Sequence, residues 1–220
     1  MRSFLYPVSS LLTLALLLWS CTPASGPVAH QSIEVEAPFD MPPITVPDFS
    51  NCVRLNIVDF GADPDDLEAT SAALAAAFEE ASAAGGGIVL VPPGTWPSKA
   101  LHFKSHVNLH LEAGAVLEFS GNPEHYLPAV RTSWEGMECY NYSPLIYAYE
   151  CENVAITGAG KLRAKMETWR RWFPRPEANM EGLKQLYHIA AQGVPLEERQ
   201  MVRDDINMRP HFIQFNRCQN

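Results

Sequence analysis

A chain of 220 residues with 47% hydrophobic and 19% charged residues is globular, holds one or two domains, and is not intrinsically disordered. Sixteen Lys+Arg against 25 Asp+Glu leave a net charge of −9 with no basic block, which excludes nucleic acid as a natural partner. Thirteen Gly and 18 Pro demand many turns, and many turns favour β structure over a helix bundle.

Residues 1–20 read as an export signal. Arg2 stands ahead of a run from Leu11 to Cys21, too short to span a bilayer and long enough for a signal-peptide core. The run stops at Cys21, with Ser20 beside it and Leu18 three residues before. That arrangement resembles a bacterial lipobox, whose Cys takes lipid and anchors the mature chain to a membrane, periplasmic or at the outer surface. The alternative is an ordinary cleaved signal and a secreted protein. Residues 21–50 then read as the lipid-attachment Cys and a flexible tether, because Pro recurs at 23, 27, 38, 42, 43 and 47.

The folded part is expected over 51–220. Asp65 and Glu68 read as a capping pair opening a helix over 66–84, with Leu67, Leu74, Phe78 and Ala81 on one face. Gly85-Gly86-Gly87 ends that helix, and Ile88–Val91 is a buried strand. Val107–Glu112 alternates apolar and polar residues, as a one-sided strand does. Ala115–Phe119, Leu145–Tyr149 and Val154–Ile156 are further short strands. Residues 164–208 interrupt the pattern with an insertion, helical around Leu183, Leu186, Tyr187 and Ala190.

An internal repeat carries the architecture. Leu145–Asn153 aligns without gaps on Phe212–Asn220, with Ile146/Ile213, Cys151/Cys218 and Asn153/Asn220 coinciding. Equal residues at equal places in successive units mean stacked coils, with Cys and aliphatics inside and Asn at each corner bonding the backbone of neighbouring coils. The predicted fold is all-β: a right-handed parallel β-helix with an N-terminal cap helix and a partly helical insertion at 164–208. A β-sandwich is the alternative. Cys52, Cys139, Cys151 and Cys218 match no zinc spacing, and both buried thiols and bridges fit them.

Three segments carry a family resemblance: Phe60–Asp66, Gly85–Trp96 and Leu109–Leu117. With Trp134–Gly136, Asn141–Ala148 and Arg209–Phe215 they resemble the N-terminal part of polygalacturonase-type glycoside hydrolases of family 28, in the subgroup found in Bacteroidetes. The resemblance implies inverting hydrolysis of galacturonosyl links in pectic polysaccharide. A carboxylic acid protonates the leaving oxygen, and carboxylates across the sugar activate water. None of the family's motifs, Asn-Thr-Asp and an Asp-Asp pair followed by Gly-His-Gly and Arg-Ile-Lys, occurs here, and the resemblance places them beyond Asn220. The chain therefore reads as truncated N-terminal coils, with its catalytic residues unknown.

Asp204-Asp205 is the one downstream Asp pair and reads as a solvated loop pair. His102, His106 and His110 recur every four residues but do not read as a metal site, and neither metal nor cofactor is expected. Substrate contacts are expected from loop-like segments: Trp134, Glu135, Tyr140, Asn141, Trp169, Trp172 and Arg209. Aromatic faces stack on sugars, and Arg matches a uronate carboxylate. Two other readings stay open, a calcium-dependent polysaccharide lyase and a non-catalytic glycan-binding surface protein. Polygalacturonan, rhamnogalacturonan and xylogalacturonan are all compatible substrates, and endo or exo action stays open.

Overall fold

A computed structural model describes residues 26–220 other than 171–173, 175 and 204–205. The expected signal peptide, Cys21, Trp172 and the Asp204-Asp205 pair lie outside the described residues. Part of the expected tether is ordered. Strands β1 (Ala29–Ile33) and β2 (Ile44–Asp48) pair antiparallel, with Ala29 opposite Asp48 and Ile33 opposite Ile44. Its prolines did not prevent this: Pro47 lies on a two-stranded ribbon, where a missing ladder donor is tolerated.

Most of the remaining strands fall into three parallel sheets. The first, in spatial order, is β12 (Ala155–Gly158), β7 (Val107–Leu111), β4 (Gly87–Val91) and β3 (Val53–Asn56). The second is β13 (Lys161–Ala164), β8 (Ala115–Phe119) and β5 (Gly94–Ser98). The third is β16 (Ile213–Asn216), β11 (Ile146–Tyr149) and β6 (Leu101–His102). The chain visits these sheets in rotation, β6–β7–β8 and then β11–β12–β13, before reaching β16.

This rotation stacks like on like. Leu109 lies between Val89 and Ile156, Leu117 between Trp96 and Leu162, and Ile146 between Leu101 and Ile213. The apolar position of each short strand therefore faces a shared interior, where Leu109, Leu117 and Ile146 are fully buried. Corners between sheets need a left-handed residue. Gly158 supplies one at φ +96, pressed so closely on the Leu111 backbone that a side chain would collide.

Helix α1 (Leu67–Ala83) packs over this stack through Thr70, Ala73, Leu74, Ala77, Phe78 and Ala81. The small residues let the helix approach β4. A Cβ on Gly87 would sit 2.5 Å from that of Ala81. The Phe78 and Phe103 rings meet edge to face, 4.9 Å apart. The cap differs from the sequence expectation by one residue. Asp66, in extended conformation, accepts from the Glu68 and Ala69 amides at 2.8 and 3.0 Å. Glu68 turns away from the cap and pairs with Lys99 at 2.5 Å. Leu67, on the first turn, is only partly buried.

The repeat is visible atom by atom. β11 and β16 pair with Ile146 opposite Ile213 and Tyr149 opposite Asn216. Glu150 and Arg217 are both left-handed, at φ +51 and +57, and so are Asn153 and Asn220, at φ +52 and +65. Arg217 and Glu150 form an ion pair along the stack at 3.5 Å. The corner asparagines meet side chain to side chain. Asn220 Nδ2 donates to Asn153 Oδ1 at 3.3 Å, and Asn153 also bonds the His30 and His106 rings. The expectation of backbone partners for these side chains is corrected accordingly, because aligned neighbours 4.8 Å or so apart meet each other first.

Two excursions leave the stack. Between β8 and β11 an antiparallel hairpin joins β9 (Val130–Trp134) to β10 (Met137–Asn141), where the sequence suggested only loop. Between β13 and β16 lie α2 (Met166–Trp169), α3 (Glu177–Ala191), a 3₁₀ turn at Leu196–Glu198, and the short pair β14 (Val202–Arg203) and β15 (Ile206–Asn207). The excursions pack on each other around Cys139, Leu186, Met201 and Met208, separately from the main interior. Leu186 is fully buried as the helical face required, whereas Tyr187 is 47% exposed.

Candidate functional site

The β9–β10 hairpin turns through Glu135 and Gly136, at φ +48 and +85. Two consecutive left-handed residues are the geometry of a tight two-residue hairpin, with Gly at the second place. The turn sets Trp134 at the tip of β9. Residues 209–212 run past it on the way into β16. The Arg209 guanidinium lies 5.7 Å from the Trp134 ring centroid, and the His211 ring 4.7 Å from it. His211 Nε2 lies 3.0 Å from the Ser133 carbonyl oxygen, and Gln214 Nε2 donates to the same oxygen at 3.3 Å. Burial pushes the His211 pKa below its usual value, against the raising effect of the hydrogen bond to Ser133, and the Arg209 charge adds to the lowering.

Trp134 and Arg209 open onto a cleft of about 520 Å³, in the size range of small-ligand sites. Trp134, Glu135, Trp169 and Arg209 line it, joined by Asn179 and Met180 from α3. The Glu135 carboxylate accepts a hydrogen bond from the Tyr187 hydroxyl, which raises the Tyr187 pKa. Trp169 is 8% exposed, its ring edge-on to Tyr126 at 5.5 Å, so it is wall rather than platform. Trp134 already contacts Arg209 and His211, and its ring aims the guanidinium.

Tyr140 and Asn141 stand apart from the cleft lining. Tyr140 exchanges backbone hydrogen bonds with the residues after the 3₁₀ turn, its N–H donating to Arg199 O at 2.9 Å and its carbonyl accepting from the Met201 N–H at 2.8 Å. Asn141 is 1% exposed and donates to the Arg209 carbonyl at 3.4 Å, bracing the segment that carries the guanidinium. His211, Asn179 and Met180 escaped the sequence reading. Asn179 and Met180 matter only because α3 folds back against the hairpin, and His211 only because residues 209–212 run past Trp134; no local pattern records either.

The described lining combines one guanidinium, one carboxylate and apolar rings. That set can bind an anionic, hydroxyl-rich molecule. It cannot by itself supply the two carboxyl groups that inverting glycoside hydrolysis requires, because Glu135 is the sole Asp or Glu among the described lining residues. Among the described residues no group of three or more His, Cys, Asp or Glu could hold a metal ion. His102 pairs with Ser143 at 2.8 Å, His106 with Asn153 at 3.1 Å and His110 with Thr157 at 2.8 Å, so the four-residue spacing disperses them. No helix of the described residues is long and apolar enough to cross a membrane.

The fold and the cleft can now be compared with known proteins. No protein-family model and no curated protein matches the chain. A hyperthermoactive exopolygalacturonase from Thermotoga maritima is 40% identical, with a TM-score of 0.69 over 75% of this chain and 39% of its own. The chain resembles the family 28 polygalacturonases. The family 28 exopolygalacturonase of Yersinia enterocolitica is 33% identical, with a TM-score of 0.44 over 55% of this chain and 22% of that one. A protein assigned as a glycosyl hydrolase from Parabacteroides merdae shares the fold at 18% identity and a TM-score of 0.51, covering 75% of this chain and 61% of its own. The chain thus spans about two-fifths of the Thermotoga enzyme.

Proposed function

We propose that these residues are the N-terminal coils of a right-handed parallel β-helix belonging to a polygalacturonase-like glycoside hydrolase of pectic polysaccharide. The observation that carries this reading is the 40% identity to the Thermotoga exopolygalacturonase across 75% of the chain. The rotation of the chain through three parallel sheets supports the β-helix. In this reading the cleft holds a galacturonosyl unit, with Arg209 donating to its carboxylate and Glu135 accepting from a ring hydroxyl. Inversion needs an acid and a base separated by roughly 6.5–9.5 Å. The catalytic pair is therefore assigned to coils of a longer protein rather than to Asp204-Asp205. Attachment through Cys21 would hold the protein at a membrane surface, where an extracellular polymer is met.

The test is calorimetric titration of the 220-residue chain with trigalacturonate, run beside reducing-end release from polygalacturonate with and without chelator. Saturable binding without release is expected. No binding overturns the assignment of the cleft. Release that survives the chelator overturns the placement of the catalytic pair and moves it to Asp204-Asp205. Chelator-sensitive release of unsaturated ends turns the reading toward a lyase.

A further inference from the structure

The repeat places two cysteines at the same point of adjacent coils. Cys151 and Cys218 follow the in-register pair β11–β16, and the register continues past them as a bridge between Glu152 and Gln219. Backbone hydrogen bonds flank the pair on both sides, Glu150 N–H to Asn216 O and Gln219 N–H to Cys151 O, each at 3.0 Å. Such neighbours lie about 4.8 Å apart across a parallel ladder. That is inside the roughly 4.4–6.8 Å span of Cα atoms that a disulfide bridges. Both side chains also point the same way. Cys151 Sγ donates to Tyr149 O at 3.4 Å, and Cys218 Sγ donates to Asn216 O at 3.5 Å, the carbonyl two residues before in each case. Both are thiols here, Cys151 buried and Cys218 partly exposed.

We propose that Cys151 and Cys218 form a disulfide between adjacent coils when the folded chain meets a small-molecule disulfide oxidant. Cys218 is the accessible partner. Its thiolate attacks the external disulfide, forming a mixed disulfide and releasing one thiol. The Cys151 thiolate then attacks the Cys218 sulfur and releases the second thiol. The chain loses two protons and two electrons, and the oxidant is reduced to two thiols. Burial raises the Cys151 pKa, opposed by the hydrogen bond to the Tyr149 carbonyl, which fits Cys151 as the resolving thiol and the more exposed Cys218 as the attacking one. Residues 165–212, with α2, α3 and Arg209, lie between the two cysteines in sequence. Closing the bridge therefore ties both feet of the excursion that walls the cleft, and it constrains the unfolded chain as well. Cys139 is a poor competitor, because burial lifts its pKa to about 12 and it lies in the separate Met-rich cluster.

The proposal is independent of the saccharide chemistry and is tested without substrate. The full chain is incubated folded with oxidised glutathione, alkylated under denaturing conditions and mapped by fragmenting mass spectrometry. A Cys151–Cys218 cross-link is expected, with two fewer titratable thiols and a melting temperature several degrees above the reduced chain. The Cys218→Ser variant should lose the cross-link and the shift while keeping its reduced melting temperature. Retention of both thiols, mixed glutathione disulfides that never resolve, or a different pairing would each overturn the proposal.

Discussion

Arg209 and Trp134 meet at 5.7 Å from opposite ends of two excursions, one on the segment entering β16 and the other at the tip of a hairpin. The contact joins segments 75 residues apart in sequence, and Asn141 holds the Arg209 backbone in place from below. It makes the cleft a composite of the hairpin, the helical excursion and the stack.

Arg209→Gln should weaken trigalacturonate binding about tenfold or more, since a charge-assisted hydrogen bond contributes about 1.5–3 kcal/mol. Its effect on melting should be small, because Arg209 is exposed. Trp134→Leu should weaken binding less, by releasing the guanidinium rather than removing it. Titration calorimetry on both variants decides the order, and a larger loss for Trp134→Leu would return the ring to a sugar-stacking role.

The helix cap gives a one-residue test of the local structure. Asp66→Ala should cost about 1 kcal/mol, because two first-turn amides lose their acceptor. For a chain of this size that is roughly 2–4 °C in melting temperature. Asp65→Ala, whose backbone N–H is held by Asp63 at 2.9 Å, should leave it nearly unchanged. Equal losses would return the cap to the position expected from sequence.

Two histidines predict the acid limit of stability. Burial lowers the pKa of His102, with Lys104 adding to it, and lowers that of His211, with Arg209 adding to it. A lowered folded pKa means that protons prefer the unfolded chain. The stability is fully present above the unfolded value near 6.5 and is lost as pH falls through the folded values. Melting temperature should therefore drop between pH 7.5 and 5.5. The double variant His102→Gln, His211→Gln should drop less, and parallel curves would remove the histidines from the explanation.

Strand β16 makes its ladder with β11, and among the described residues no strand pairs with its other edge. Ile213 and Phe215 are 44% and 42% exposed on that strand. An open apolar edge invites pairing with another chain. Sedimentation velocity should show concentration-dependent self-association that Ile213→Lys reduces. A monodisperse parent chain would rule out the edge as a contact.

Several features were legible in residue order alone. The alternation of Val107–Leu111, the alanine-rich helix and the coincidence of Cys151 with Cys218 each follow from local chemistry or from a repeat, and the observed register matches the alignment of Ile146 with Ile213. Trp134, Glu135, Trp169 and Arg209 were singled out as aromatic and charged residues in loop-like segments, and they line one cleft. The sequence could not reveal that Trp134 serves Arg209, or that Asn141 braces it from a buried position. It gave no sign that Tyr187 holds Glu135. Those relations depend on how two excursions with no shared period fold onto each other through a small Met-rich core. Periodic burial is written into each strand because every strand meets its parallel neighbours in register, at the same place. Contacts between excursions are made once, across long loops, and only the tertiary packing chooses them.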